Sequence, residues 1–181
     1  MRNLIILFVL FSALVSCKNR QEPSQRIPVW GNSSRQLEVT MDAPNVQVPF
    51  KRTNGDLAEV QVSLNGVPFN MWWDTGASMM SISSLEFAKM IKEGKVDKND
   101  YAGKVSFTMA DGSIEECDVY YIKEVFIKGI NDKYLRIHNV KMSISDSPDA
   151  PLLIGQNVMQ ALPRHTFNDD TGMIEFGRNE F

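Results

Sequence analysis

The sequence predicts a mostly-β domain, a small closed barrel carrying one or two short helices. Three observations point there. Apolar and polar residues alternate with period two, as where Val60, Val62 and Leu64 interleave with Glu59, Gln61 and Ser63. Turn signals such as Asn65-Gly66 separate the alternating runs. Only residues 83–94 carry the full marks of a helix, with a shorter one expected over 157–162.

The chain begins outside that domain. Met1-Arg2-Asn3 is a short positive start, and Leu4 to Val15 is almost continuously apolar. That run falls short of the roughly 20 residues needed to span a bilayer. Its length and flanks predict a secretory signal over residues 1–16. Leu14-Val15-Ser16-Cys17 resembles a bacterial lipobox, which implies lipidation of Cys17. Residues 17–36, rich in Gln, Asn, Ser and Pro, read as the lipidated cysteine and a tether. Lys18 follows the cysteine, so no aspartate there argues for inner-membrane retention. The expected location is the bacterial cell envelope, at the outer membrane through the lipid anchor.

The domain itself is expected over 37–181. Residues 47–50 form a strand running to a turn at 53–56, and 59–64 form the next strand. Asn65-Gly66 turns the chain into a third strand, 69–73, which runs straight into Asp74. Ser83 and Glu86 then stand at capping-box spacing. Leu85, Phe87, Ala88, Met90 and Ile91 are expected to supply the buried side of the helix, and Gly94 its stop. A charged loop over 95–101 precedes strands at 105–109 and 117–127, joined through Ala110-Asp111-Gly112-Ser113. A turn at 129–133 leads to the alternating run 135–142. The apolar segment Leu152-Leu153-Ile154-Gly155 follows, and 165–167 with 173–176 make a last hairpin.

Charge narrows the partners. The formal net charge is −3 with charged residues at 23%, and no Lys/Arg block stands out, so no nucleic-acid partner is predicted. The cysteines are two, Cys17 and Cys117. With Cys17 lipidated, Cys117 is left as a small strand residue rather than a nucleophile. His138 and His165 have no Cys-protease context and read as structural or surface residues.

The chemistry concentrates at Asp74-Thr75-Gly76-Ala77-Ser78. A lone carboxylate ending an apolar strand is a costly core residue, so a working role is expected. Thr75 and Ser78 add short hydroxyls, Gly76 permits close backbone approach, and Ala77 keeps the site open. Residues 69–82, centred on this loop, resemble the active-site loop of retropepsin-like aspartic proteases. Ala110-Asp111-Gly112 resembles that family's flap tip, and Leu153-Ile154-Gly155 its second signature behind the catalytic loop. The likeness covers residues 46–176.

The resemblance implies an aspartic endopeptidase acting on protein or peptide substrates with no cofactor and no metal. It also implies two carboxylates, one base and one acid, with Thr75 bracing two loops across a dimer axis. Asp170-Thr171-Gly172 is not the second loop. Asn168-Asp169 precede it in place of an apolar strand, and its composition is that of a hairpin turn. The second carboxylate is therefore expected from Asp74 of another copy, in a homodimer. The alternative function is a non-catalytic lipoprotein of the same fold, acting as a binding or dimerisation module.

Overall fold

A computed structural model describes residues 35–53, 56–108 and 112–177. The leader, Cys17 and the tether up to residue 34 lie outside the described residues, as do Asn54 and Gly55 of the expected turn, Ala110 and Asp111.

The first hairpins form as their alternation requires. Strands β1 (Glu38–Met41), β2 (Asn45–Arg52), β3 (Ala58–Leu64) and β4 (Val67–Trp73) follow in order. In β3, residues 58, 60, 62 and 64 point to the core, and in β4 residues 67, 69, 71 and 73 do so. Asn65 (φ 49°) and Gly66 (φ 88°) both take left-handed backbone, the conformation a two-residue hairpin needs. Asn65 also locks the turn outward, accepting from the Glu124 N–H at 3.0 Å and donating to the Lys95 carbonyl at 2.8 Å.

Strand β5 (Met80–Ser83) runs into α1 (Ser84–Lys92). Ser83 caps the helix, its hydroxyl accepting from the Glu86 N–H at 3.3 Å and donating to the Glu86 carboxylate. Gly94 (φ 65°) ends it: Gly94 N–H reaches the Ile91 carbonyl and Lys95 N–H the Met90 carbonyl, both at 2.9 Å.

The expected buried side of α1 is only partly observed. Met90 is fully buried and Phe87 half-buried against Tyr120, whereas Leu85, Ala88 and Ile91 are exposed. The helix rests mainly on β5 and β8, so a single stripe through Ser83, Phe87 and Met90 faces inward. Leu85 and Ala88 fall on the opposite side of the 3.6-residue turn.

The loop after α1 holds a 3-10 turn, Lys98–Asp100, whose Asp100 is 1% exposed. Its carboxylate accepts from the Asp97 N–H at 3.1 Å and faces Arg35 at 3.6 Å and Lys123 at 3.3 Å. A buried charge needs such partners.

Strands β6 (Tyr101–Thr108), β7 (Ile114–Lys128) and β8 (Tyr134–Ser145) form the long meander of the fold. Strand β9 (Leu153–Ile154) then inserts between β4 and β5, parallel to β4 and antiparallel to β5. Helix α2 (Gln156–Met159) begins one residue earlier and is shorter than the sequence implied. Strands β10 (His165–Asn168) and β11 (Met173–Gly177) close the chain as a hairpin added to β2.

These pairings form a ring. β3 pairs β4, β4 pairs β9, β9 pairs β5, β5 pairs β8, β8 pairs β7, and β7 returns to β3 through Ser63 opposite Phe126. This ring is the form the expected barrel takes. Val60, Leu64, Met71, Met80, Ile122, Ile137 and Met142 fill its interior. Each such side chain, fully withdrawn from water, contributes about 1.5–3 kcal/mol before entropy is counted.

Candidate active site

The site is made where the ring delivers β4 to solvent. Trp72 and Trp73 pair with Leu153 and Ile154, and the Trp73 ring is packed edge-on against His165 and Phe167. That anchors the strand up to its last residue. Asp74 then leaves the sheet, its N–H still held by the Ile154 carbonyl at 3.1 Å.

The carboxylate is oriented by its own loop. Asp74 Oδ1 accepts from the Gly76 N–H at 2.8 Å, and the Asp74 carbonyl accepts from the Ala77 N–H at 3.2 Å. A side chain at Gly76 would stand 3.1 Å from that same Oδ1. Asp74 is half-buried, while Thr75, Gly76 and Ser78 are exposed. Among the described residues the Thr75 hydroxyl makes no hydrogen bond to another group.

The segment after β9 clamps the loop from behind. Gly155 passes so close to Met79 that a Cβ would lie 2.4 Å from its backbone carbon and oxygen. Only glycine allows that approach. Gln156 then donates from its N–H to the Ala77 carbonyl at 2.8 Å and from Nε2 to the Thr75 carbonyl at 3.0 Å. Asn157 donates from its N–H to the Ser78 carbonyl at 3.2 Å. Its side chain accepts from the Met80 N–H and donates to the Lys141 carbonyl, each at 2.8 Å.

Gln156 and Asn157 escaped the sequence reading. Their one available signal was position, directly after Leu153-Ile154-Gly155.

A cleft of about 470 Å3 opens beside Asp74. Gly76, Ala77 and Ser78 lie at its near end, and Ala150, Pro151 and Leu153 flank it. The hairpin of β6 and β7 supplies the facing wall through Phe107, Thr108, Glu115 and Cys117. Met79, Ser81, Ser143 and Ser145 line the remainder. Of the expected flap tip, Gly112 carries a left-handed φ of 84°, as a tight hairpin end requires.

Cys117 is a buried strand residue, as expected, but it borders the cleft. Burial, then the charge of Glu115 and a 3.7 Å hydrogen bond to it, push its thiol up to about 11. A thiol held protonated is a poor nucleophile. His165 packs on Trp73 and Phe176, and His138 lies 3.1 Å from the Lys123 carbonyl, so both are structural. Asp170-Thr171-Gly172 sits in the β10–β11 turn, with the Thr171 N–H on Asn168 Oδ1 at 3.2 Å and the Phe50 N–H on the Gly172 carbonyl at 2.9 Å. Among the described residues no group of three or more His, Cys, Asp or Glu side chains is arranged to hold a metal.

A family model described as "gag-polyprotein putative aspartyl protease" matches residues 60–161, from β3 through the Asp74 loop and β9 to α2. The chain belongs to this family of retropepsin-like aspartic proteases. It is similar in structure to a retropepsin-like aspartic protease from Rickettsia conorii, with a TM-score of 0.49 and 15% identity over 77% of this chain and 92% of that one. No curated protein matches it. Within this retropepsin-like chain, the matched stretch contains Asp74, Gly112 and Gly155 together, and leaves the hairpin holding Asp170 outside.

Proposed function

We propose that the protein is an aspartic endopeptidase working as a homodimer, with Asp74 of each copy forming a shared carboxylate pair. One observation carries this reading. The Asp74 carboxylate is preset by the Gly76 N–H and borders an open cleft, while the chain's other Asp-Thr-Gly is spent in a hairpin turn.

Two like charges held close cannot both ionise easily, so the pair keeps one proton. The ionised member takes a proton from water, which attacks the scissile carbonyl, while the protonated member donates to the carbonyl oxygen. Collapse of the tetrahedral species then expels the amine, which takes up a proton from the pair while one hydroxyl of the tetrahedral species returns a proton to it. Thr75 braces the two loops across the axis, and Ala110, Asp111 and Gly112 close over the peptide to exclude water. No cofactor or metal takes part in this scheme. Cys17 carries the lipid that ties the enzyme to the bacterial envelope, at the outer membrane, with residues 18–36 as spacer.

The full chain should cleave a denatured protein, and Asp74→Asn should not. Once subunits exchange, an equal mixture of the two should show about a quarter of the activity of the same total amount of wild type, because only about one dimer in four keeps both carboxylates. Cleavage by Asp74→Asn, or by a species that stays monomeric in sedimentation, refutes the shared pair. Cys17→Ala should release the protein from membranes, and its retention there would refute the anchor.

A further inference from the structure

We infer that the cleft beside Asp74 selects a lysine or arginine side chain of the substrate, and that Glu115 reads its charge. The inference rests on the proposal that this cleft binds peptide. Glu115 belongs to the cleft wall, and its carboxylate lies 3.7 Å from the thiol of Cys117, another wall residue. Among the described residues Glu115 has no ion-pair partner. The nearby cation on this hairpin, Lys104, is taken by Glu116 at 2.9 Å and Asp118 at 3.9 Å. After burial, the charges of Glu115, Asp146 and Asp118 all oppose ionisation of Cys117.

The rest of the cleft suits the stem and head of such a side chain. Phe107, Pro151 and Leu153 give apolar surface for methylene groups, which long cations bury while keeping their charge partnered. Ser81, Ser143 and Ser145 offer hydroxyl oxygens as further acceptors. An apolar side chain would do the opposite. It would strip water from the Glu115 carboxylate and leave that charge unpaired, which is costly.

Peptides differing at one position (lysine, arginine, norleucine, leucine, glutamate) should be offered to the full chain in detergent. Cleavage should favour the lysine and arginine peptides. Glu115→Gln should lower the lysine-to-norleucine ratio of kcat/KM about tenfold, the scale of one charge-assisted hydrogen bond. Glu115→Lys should turn the preference toward glutamate, and added salt should weaken the wild-type preference.

Preference for leucine unaltered by Glu115→Gln overturns the inference. So does a uniform loss over all peptides, which would make Glu115 part of the reaction and not of selection. If wild type cleaves nothing, the protease proposal fails, and binding decides the inference separately. A lysine peptide with a reduced scissile bond should bind wild type more tightly than its norleucine twin, and Glu115→Gln should abolish the difference. Equal binding would overturn the inference.

Discussion

Replacing Gly155 by alanine tests the clamp behind the catalytic loop. The new methyl would lie 2.4 Å from Met79 backbone carbon and oxygen and 2.8 Å from its nitrogen. None of these atoms is the end of a flexible side chain, so β9 and the loop must separate. Overpacking of this kind costs about 1–3 kcal/mol. Separation also lengthens the bonds from Gln156 N–H to Ala77 (2.8 Å) and from Asn157 N–H to Ser78 (3.2 Å). Each is worth about 1 kcal/mol net. The total is about 3–5 kcal/mol, which for a domain of this size lowers Tm by roughly 10–15 °C.

Gly76→Ala is the matched contrast. Its methyl meets only the Asp74 carboxylate oxygen, at 3.1 Å, on an exposed loop. Stability should change by less than about 1 kcal/mol, while proteolysis falls roughly ten- to a hundredfold because the reacting group is displaced. Urea unfolding and peptide cleavage on the same preparations separate the two effects. A Gly155→Ala protein with wild-type midpoint and rate would show that the clamp does not set the loop, and the reasoning would fail.

Other outcomes follow from the same contacts. Asn157→Ala removes bonds to the Met80 N–H and the Lys141 carbonyl and should cost about 2–3 kcal/mol in urea unfolding. Asp169 is held below its ordinary carboxylate range by its hydrogen bond from Arg52 and by that charge. A depressed folded pKa stabilises above the unfolded pKa and fades as pH falls through the folded one. The stability gap between wild type and Asp169→Asn should therefore shrink in acid and in high salt, and a gap that widens in acid would contradict the pairing. Cys117, with its thiol pushed up to about 11, should resist iodoacetamide at pH 8 in the native state and react in urea, followed by mass on its own peptide. Its raised pKa favours the fold below the unfolded thiol pKa and is lost as pH climbs through the folded one.

What was legible in the sequence was whatever local chemistry decides. Asn65-Gly66 names its own turn, Gly94 its helix stop, and Ser83 its cap, because each acts within a few residues. The Asp74 loop stood out for the same reason. The inward face of α1 did not, because Leu85, Phe87, Ala88, Met90 and Ile91 put apolar side chains around most of the helix. Packing on β5 and β8 made the choice. Asp100 looked like one more charge in a loop, since its partners Arg35 and Lys123 come from distant segments. Glu115 was hidden by strand parity: neighbouring Glu116 faces Lys104 instead, and only the pairing of β7 tells the two apart.

The clamp bears on how a dimeric site can be affordable at all. Ordering loops at an interface costs free energy that subtracts from association. Here the backbone of the Asp74 loop is already fixed within one chain, by Ile154, Gln156 and Asn157, and its carboxylate by Gly76. What stays exposed is the outer surface of the loop, at Thr75, Gly76 and Ser78. In the proposed dimer two preset halves would meet, and association would need to supply contact between them without also folding the site. That separates two kinds of defect. A change at Thr75 should weaken association while leaving each loop in place, so raised protein concentration restores the rate. A change at Gly155 or Asn157 disorders the half-site itself, and no concentration restores it.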